Sequence, residues 1–144
     1  MIEVFNIQKL LKVDKDFPVE RIIEFSSKEF ATEKMVNIVF VTPTQIKKLN
    51  MEFRKKREVT DVLSFNIDLD NFLGEIYVCP KYVMKTLGDI DFQEQIFRLI
   101  IHGVLHLYGY DHKKQFERFD YVDEPMYIRQ EEILNKFLTK EIEK

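Results

Sequence analysis

The sequence predicts an α+β fold: one domain over residues 1–144, with a mixed, roughly four-stranded sheet packed against helices. Three observations carry that expectation. Four short runs have β-branched or alternating apolar character, several longer segments have apolar residues at helical spacing, and the composition is that of a folded chain. Apolar residues make up 45% and charged residues 33%, with only four Gly and four Pro, which excludes a disordered or low-complexity protein. A chain of 144 residues can bury about two-thirds of the surface its unfolded form exposes, so a core is available.

The elements follow in order. The first residues alternate, with Ile2, Val4 and Asn6 on one side, and predict a short strand. Pro18 opens a helix to which Ile22, Ile23, Phe25 and Phe30 give one apolar side. The run Val36 to Val41 is rich in β-branched residues and predicts a second strand. Thr42-Pro43 supplies a helix cap and a proline at the first helical position, leading into Ile46, Leu49 and Phe53 and ending near Arg54. Asp61 to Ile67 and Leu73 to Cys79 are strand candidates joined across the polar turn Asp68 to Asn71, a separation that suits an antiparallel hairpin.

Pro80 opens a short helix that Gly88 closes. From Asp91 to Leu107 the apolar positions Phe92, Ile96, Leu99, Ile100, Val104 and Leu107 predict a long helix, apolar nearly all round and so central and buried. A last helix, roughly Asp123 to Lys140, turns Met126, Ile133, Leu134, Phe137 and Leu138 toward the core.

The formal net charge of -3 argues against a protein that coats nucleic acid through global charge, because non-specific affinity comes mainly from neutralised phosphates. The charge is nonetheless polarised. Lys47, Lys48, Arg54, Lys55, Lys56 and Arg57 fall within eleven residues, while Asp120, Asp123, Glu124, Glu131, Glu132, Glu141 and Glu143 load the C-terminal quarter with acid. The single cysteine, Cys79, cannot form an intramolecular disulfide and suits a reducing compartment. Its place before Pro80 reads as a buried strand end in preference to a metal ligand. The opening MIEVFNIQKL lacks the pattern of a secretory signal, and no apolar run reaches membrane-spanning length. The expected location is cytoplasmic, with no membrane partner.

The chemistry concentrates in residues 102 to 112, where the chain's only three histidines stand as His102, three residues, His106, five residues, His112. On a helix the first two project one turn apart from the same face. Gly109 can take a left-handed conformation and turn the chain back, so that His112 completes a triangle of imidazoles. Three nitrogen ligands with a fourth position open to water or substrate are the usual arrangement of a catalytic zinc. Bound water there ionises near neutral pH. Copper, nickel or iron(II) also accept imidazoles, and the competing reading is a pair of core histidines satisfied by neighbours.

The spacing also coincides with the protease pattern H-E-x-x-H-x-x-G-x-x-H, except that Gly103 replaces the general-base glutamate. Peptide cleavage thereby loses its proton acceptor and donor.

The segment His102-Gly103-Val104-Leu105-His106-Leu107-Tyr108-Gly109-Tyr110-Asp111-His112 resembles the signature of the bacterial YbeY family of endoribonucleases. Thr60-Asp61-Val62-Leu63-Ser64-Phe65 resembles the family's strand motif, and Leu73-Gly74-Glu75-Ile76 its following L-G-D-I segment. Arg54 falls where the family has a functional arginine. Gln130 departs from the pattern, standing where a glutamate is expected, and the segment Lys113 to Glu124 is longer by a few residues than the pattern has it.

The resemblance implies a zincin-like metal-site helix and one Zn2+ ion held by His102, His106 and His112. It further implies single-strand-specific RNA cleavage in 3′-end maturation of small-subunit (16S) ribosomal RNA and in ribosome quality control. Single-stranded RNA and the ribosomal subunit or its associated proteins are the implied partners. Arg54 is then the catalytic candidate, since a guanidinium binds phosphate through two hydrogen bonds and neutralises growing charge.

Read without the resemblance, Arg54 is a solvated loop residue, as most members of basic runs are. Lys55, Lys56 and Arg57 either track an RNA backbone or are solvated. Asp111 reads as a turn residue or a partner of a histidine, Tyr108 and Tyr110 as packing or base-stacking aromatics, and Asp61 and Ser64 as structural. A second functional class stands beside the enzyme: a metal-stabilised ribosome-assembly or RNA-binding factor with little intrinsic cleavage.

Overall fold

The computed structural model describes residues 2–5, 34–69, 71–109 and 125–142. The helix expected after Pro18 lies outside them, as do Tyr110, Asp111, His112 and the segment 113–124. The expected α+β class with a mixed sheet is observed. Strands β1 (Ile2–Phe5), β2 (Met35–Phe40), β3 (Val62–Leu69) and β4 (Phe72–Val78) lie in the spatial order β1-β2-β4-β3. β1 runs parallel to β2 and β2 parallel to β4, while β3 pairs antiparallel with β4.

Alternation along the strands divides the core in two. From β2 and β4, Val36, Ile38, Phe40, Ile76 and Val78, all 0% exposed, turn to one face. There they meet Ile96, Ile100, Ile101 and Val104 of helix α3 (Phe92–Leu107) and Met126, Ile133 and Phe137 of helix α4 (Pro125–Ile142). Phe97 and Phe137 pack edge to face between these helices, with ring centroids 4.7 Å apart. On the opposite face Leu63, Phe65, Tyr77 and Cys79 meet Ile46 and Leu49 of helix α1 (Pro43–Arg54). A short helix, α2 (Pro80–Thr86), connects β4 toward α3.

The helix starts follow local chemistry. Thr42 and Gln45 form a reciprocal capping box: the Gln45 N–H donates to Thr42 Oγ1 at 3.2 Å, and the Thr42 N–H to Gln45 Oε1 at 2.9 Å. Asp91 caps α3 by accepting from the Glu94 N–H at 3.0 Å. Phe53, the last of the apolar residues named for α1, is 63% exposed, its ring lying 5.0 Å from that of Phe65. The hairpin turn is also tighter than Asp68 to Asn71, because β3 runs on to Leu69 through a register irregularity after Asn66, where Asp68 takes φ 46°.

Candidate metal centre and basic loop

Helix α3 carries His102 and His106 on one side and the core on the other, as an i, i+4 pair must when the intervening positions Gly103, Val104 and Leu105 are buried. Both imidazoles are half-buried. Their rings meet edge to face with centroids 4.6 Å apart, and the two Nε2 atoms lie 3.1 Å from each other. Two nitrogens on one tetrahedral zinc, each at about 2.0–2.1 Å, stand roughly 3.3 Å apart. The pair therefore fits two corners of such a site. Among the described residues no group of three His, Cys, Asp or Glu side chains comes together as a metal site, and the third expected ligand, His112, lies outside them. Gly109, at φ 96°, has the left-handed backbone expected to turn the chain toward that residue.

Gly103 sits between the two histidines and faces the sheet. A Cβ there would come within 2.8 Å of Ile76 Cγ2, 3.0 Å of Cδ1 and 3.1 Å of Cγ1. The position that carries a general-base glutamate in the protease pattern therefore has no room for a methyl group. Steric closeness to β4 explains the glycine.

In the sequence Gln130 stands out only as a departure from the family pattern, and neither it nor Arg98 or Glu131 carries a visible role. The structure places Gln130 on α4, 3% exposed, with Oε1 2.8 Å from His102 Nδ1. Its Nε2 donates to Glu131 Oε2 at 3.0 Å. Arg98 Nε in turn reaches both oxygens of Glu131, at 3.2 and 3.0 Å. Burial pulls the Arg98 pKa down, but the hydrogen bond and charge of Glu131 outweigh it and raise it above the ordinary value. The only signal in the sequence was a polar residue among apolar ones on the inward side of α4.

Arg54 is the last residue of α1 and is exposed, as are Lys47, Lys48, Lys55, Lys56 and Arg57. The loop after α1 is nevertheless anchored. Asn50, 1% exposed, donates from Nδ2 to the Glu58 carbonyl at 3.0 Å, and its own carbonyl accepts from the Lys56 N–H at 3.3 Å. Lys55 caps the helix in the left-handed region at φ 59°. The ends of α1 and α3 converge on β3 from opposite faces. Phe53, beside Arg54, packs on the Phe65 ring. A Cβ at Gly74 would meet both the Phe65 carbonyl oxygen and, at 2.7 Å, Cδ2 of Leu107, the neighbour of His106.

Asp61 and Ser64 lie at β3, and burial pushes the Asp61 carboxyl above its ordinary range. Cys79 is fully buried between Leu63 and Ile46, where desolvation raises its thiol pKa, as expected of a packed strand-end residue. Tyr108 is 37% exposed just past α3. No helix among the described residues is long and apolar enough to cross a membrane.

Comparison with known proteins gives a consistent result. The family profile described as Endoribonuclease YbeY matches residues 4–138. A protein of that name from Thermotoga petrophila is 37% identical over 115 residues, covering 73% of this chain and 76% of its own. One from Thermotoga neapolitana is 34% identical, covering 82% of this chain and 79% of its own. The solution structure of a Thermotoga maritima protein superposes with a TM-score of 0.64 at 30% identity, covering 97% of this chain and 91% of the other.

Proposed function

The chain belongs to the endoribonuclease YbeY family, and from that premise we propose that it is a zinc-dependent, single-strand-specific endoribonuclease acting in the cytoplasm. Its role is 3′-end maturation of small-subunit ribosomal RNA and ribosome quality control, in contact with the ribosomal subunit or its associated proteins. The observation that supports the metal chemistry best is the convergence of His102 and His106 through their Nε2 atoms, 3.1 Å apart, beside an outer hydrogen-bond partner for the first ring.

His102, His106 and His112 would hold the ion, which supplies Lewis-acid polarisation of a phosphoryl oxygen when bound. The residues of the chain do the rest. Arg54 binds the scissile phosphate through its planar guanidinium and offsets the charge that grows on its oxygens. Lys55, Lys56 and Arg57, exposed on a loop pinned by Asn50, follow the neighbouring phosphates. RNA laid along β3 would reach both, since β3 is an edge of the sheet and the ends of α1 and α3 approach it from opposite faces.

The test is cleavage of a labelled single-stranded RNA by zinc-loaded protein, with His106→Ala and Arg54→Ala variants alongside. His106→Ala is expected to abolish cleavage, and Arg54→Ala to slow it on the order of 10²-fold. Cleavage that persists in His106→Ala would trace the activity to a contaminant. Chelation decides between catalyst and scaffold: stripped protein that stays folded but inactive has a catalytic site, whereas loss of the fold assigns the ion a structural role.

A further inference from the structure

The hydrogen bonds that link His102 through Gln130 to Glu131 and Arg98 have one consistent set of directions. Glu131 is held by Arg98 Nε at 3.2 and 3.0 Å, Arg98 Nη1 also donates to Gln95 Oε1 at 2.7 Å, and Glu94 adds an ion pair at 3.6 Å. An ionised carboxylate only accepts, so Gln130 must present its NH2 group to Glu131, as its Nε2 does at 3.0 Å. That leaves Oε1, which also only accepts, facing His102 Nδ1 at 2.8 Å. The ring must therefore donate from Nδ1. A neutral imidazole has a single N–H, so the lone pair is on Nε2, the atom that lies 3.1 Å from His106 Nε2.

We propose that Gln130 is a positioning residue for a divalent metal, with Arg98 and Glu131 orienting its amide so that His102 is held as the Nδ1–H tautomer with Nε2 presented to the ion. This rests on the metal-site reading of His102 and His106. An amide suffices because the orientation comes from Glu131 behind it, and the element that supplies it, α4, is distant in sequence but buried against α3 through Phe97 and Phe137. Gln130 touches neither the ion nor RNA in this role and acts only through the ring.

Two readouts test it, neither of them activity. Two-bond proton–nitrogen spectra of the metal-free, nitrogen-labelled protein report the tautomer of each histidine, and chelator competition reports zinc affinity. In the unaltered chain His102 is expected as the Nδ1–H form. Gln130→Met, which keeps the volume and removes the acceptor, is expected to mix the tautomers and weaken zinc binding about 10- to 100-fold. Gln130→Glu restores an acceptor and is expected to return both toward the starting values.

An Nε2–H form of His102 in the unaltered protein overturns the proposal without any variant having to fold. So does a folded Gln130→Met protein whose spectrum and affinity match the original. If the unaltered protein shows the Nδ1–H form yet takes up no zinc, the metal-site reading fails and takes the positioning role with it, while the hydrogen-bond directions stand.

Discussion

Replacing Gly103 with alanine sets two local effects against each other. In an open helix the change would stabilise by about 1 kcal/mol, because glycine loses more backbone freedom on folding. Here the new Cβ falls 2.8, 3.0 and 3.1 Å from three carbons of Ile76, against an optimal separation of about 3.5–4.0 Å. Ile76 is 0% exposed in the middle of the sheet, between Ile38 and Ser64 of the paired strands. It is β-branched and stiff at χ1, so one rotation cannot carry all three carbons away.

The strain is therefore taken up by α3 lifting from β4, at the upper part of the roughly 1–3 kcal/mol typical of overpacking. Less the helical gain, about 1–2 kcal/mol of net destabilisation remains, a fall in Tm on the order of 5 °C. Thermal and urea unfolding of Gly103→Ala, Ile76→Ala and the double variant give the assay. Ile76→Ala is itself costly, about 2–5 kcal/mol, but removes every carbon that the new Cβ meets, so the cycle should show a favourable coupling above about 0.5 kcal/mol. A Gly103→Ala protein more stable than the original, or a cycle additive within that margin, is incompatible with this packing.

Two further outcomes follow from the same strand pair. Gly74→Ala places a Cβ against the Phe65 backbone oxygen, which cannot rotate away, and 2.7 Å from Leu107 Cδ2; a loss of about 3 kcal/mol or more is expected, larger than that of Gly103→Ala, and equal unfolding midpoints for the two would contradict it. For Asp61, burial raises the folded-state pKa above the unfolded one, so the ionised side chain costs stability at neutral pH and that cost is relieved as pH falls through the raised pKa toward the ordinary carboxylate range. The Tm of the original chain should accordingly rise relative to that of Asp61→Asn over this window; a difference that stays flat or moves the other way in a pH series counts against it.

The parts of this molecule written in local sequence were legible. Thr42-Pro43 announces a helix through a cap and a fixed φ, and the observed helix runs from Pro43 to Arg54. The i, i+4 spacing of His102 and His106 places two imidazoles on one face whatever else the chain does, and the Nε2 atoms do converge. What depends on contact between distant segments was not legible. Gln130 stands 28 positions from His102, and only the packing of α4 on α3 makes its carbonyl a partner for the ring. The exposure of Phe53 is of the same kind: α1 offers Ile46 and Asn50 to the sheet, leaving Phe53 to cover Phe65 from outside.

Gly103 shows how a correct observation can have a different cause from the one first attached to it. Its missing carboxylate separates this chain from the protease pattern, but a side chain at this position is disfavoured by the contact with Ile76 whatever its part in proton transfer. Successive residues of α3 diverge by about 100° around the axis, so with position 103 pressed onto Ile76 His102 stands to one side of that contact, where Gln130 of α4 meets its ring. The same close approach leaves no carboxylate beside His102 near the C-terminal end of α3. Residue 103 thus supplies no proton acceptor for phosphodiester cleavage, and a change that lifts α3 from the sheet should disturb the 3.1 Å approach of the two imidazoles even when it touches neither histidine.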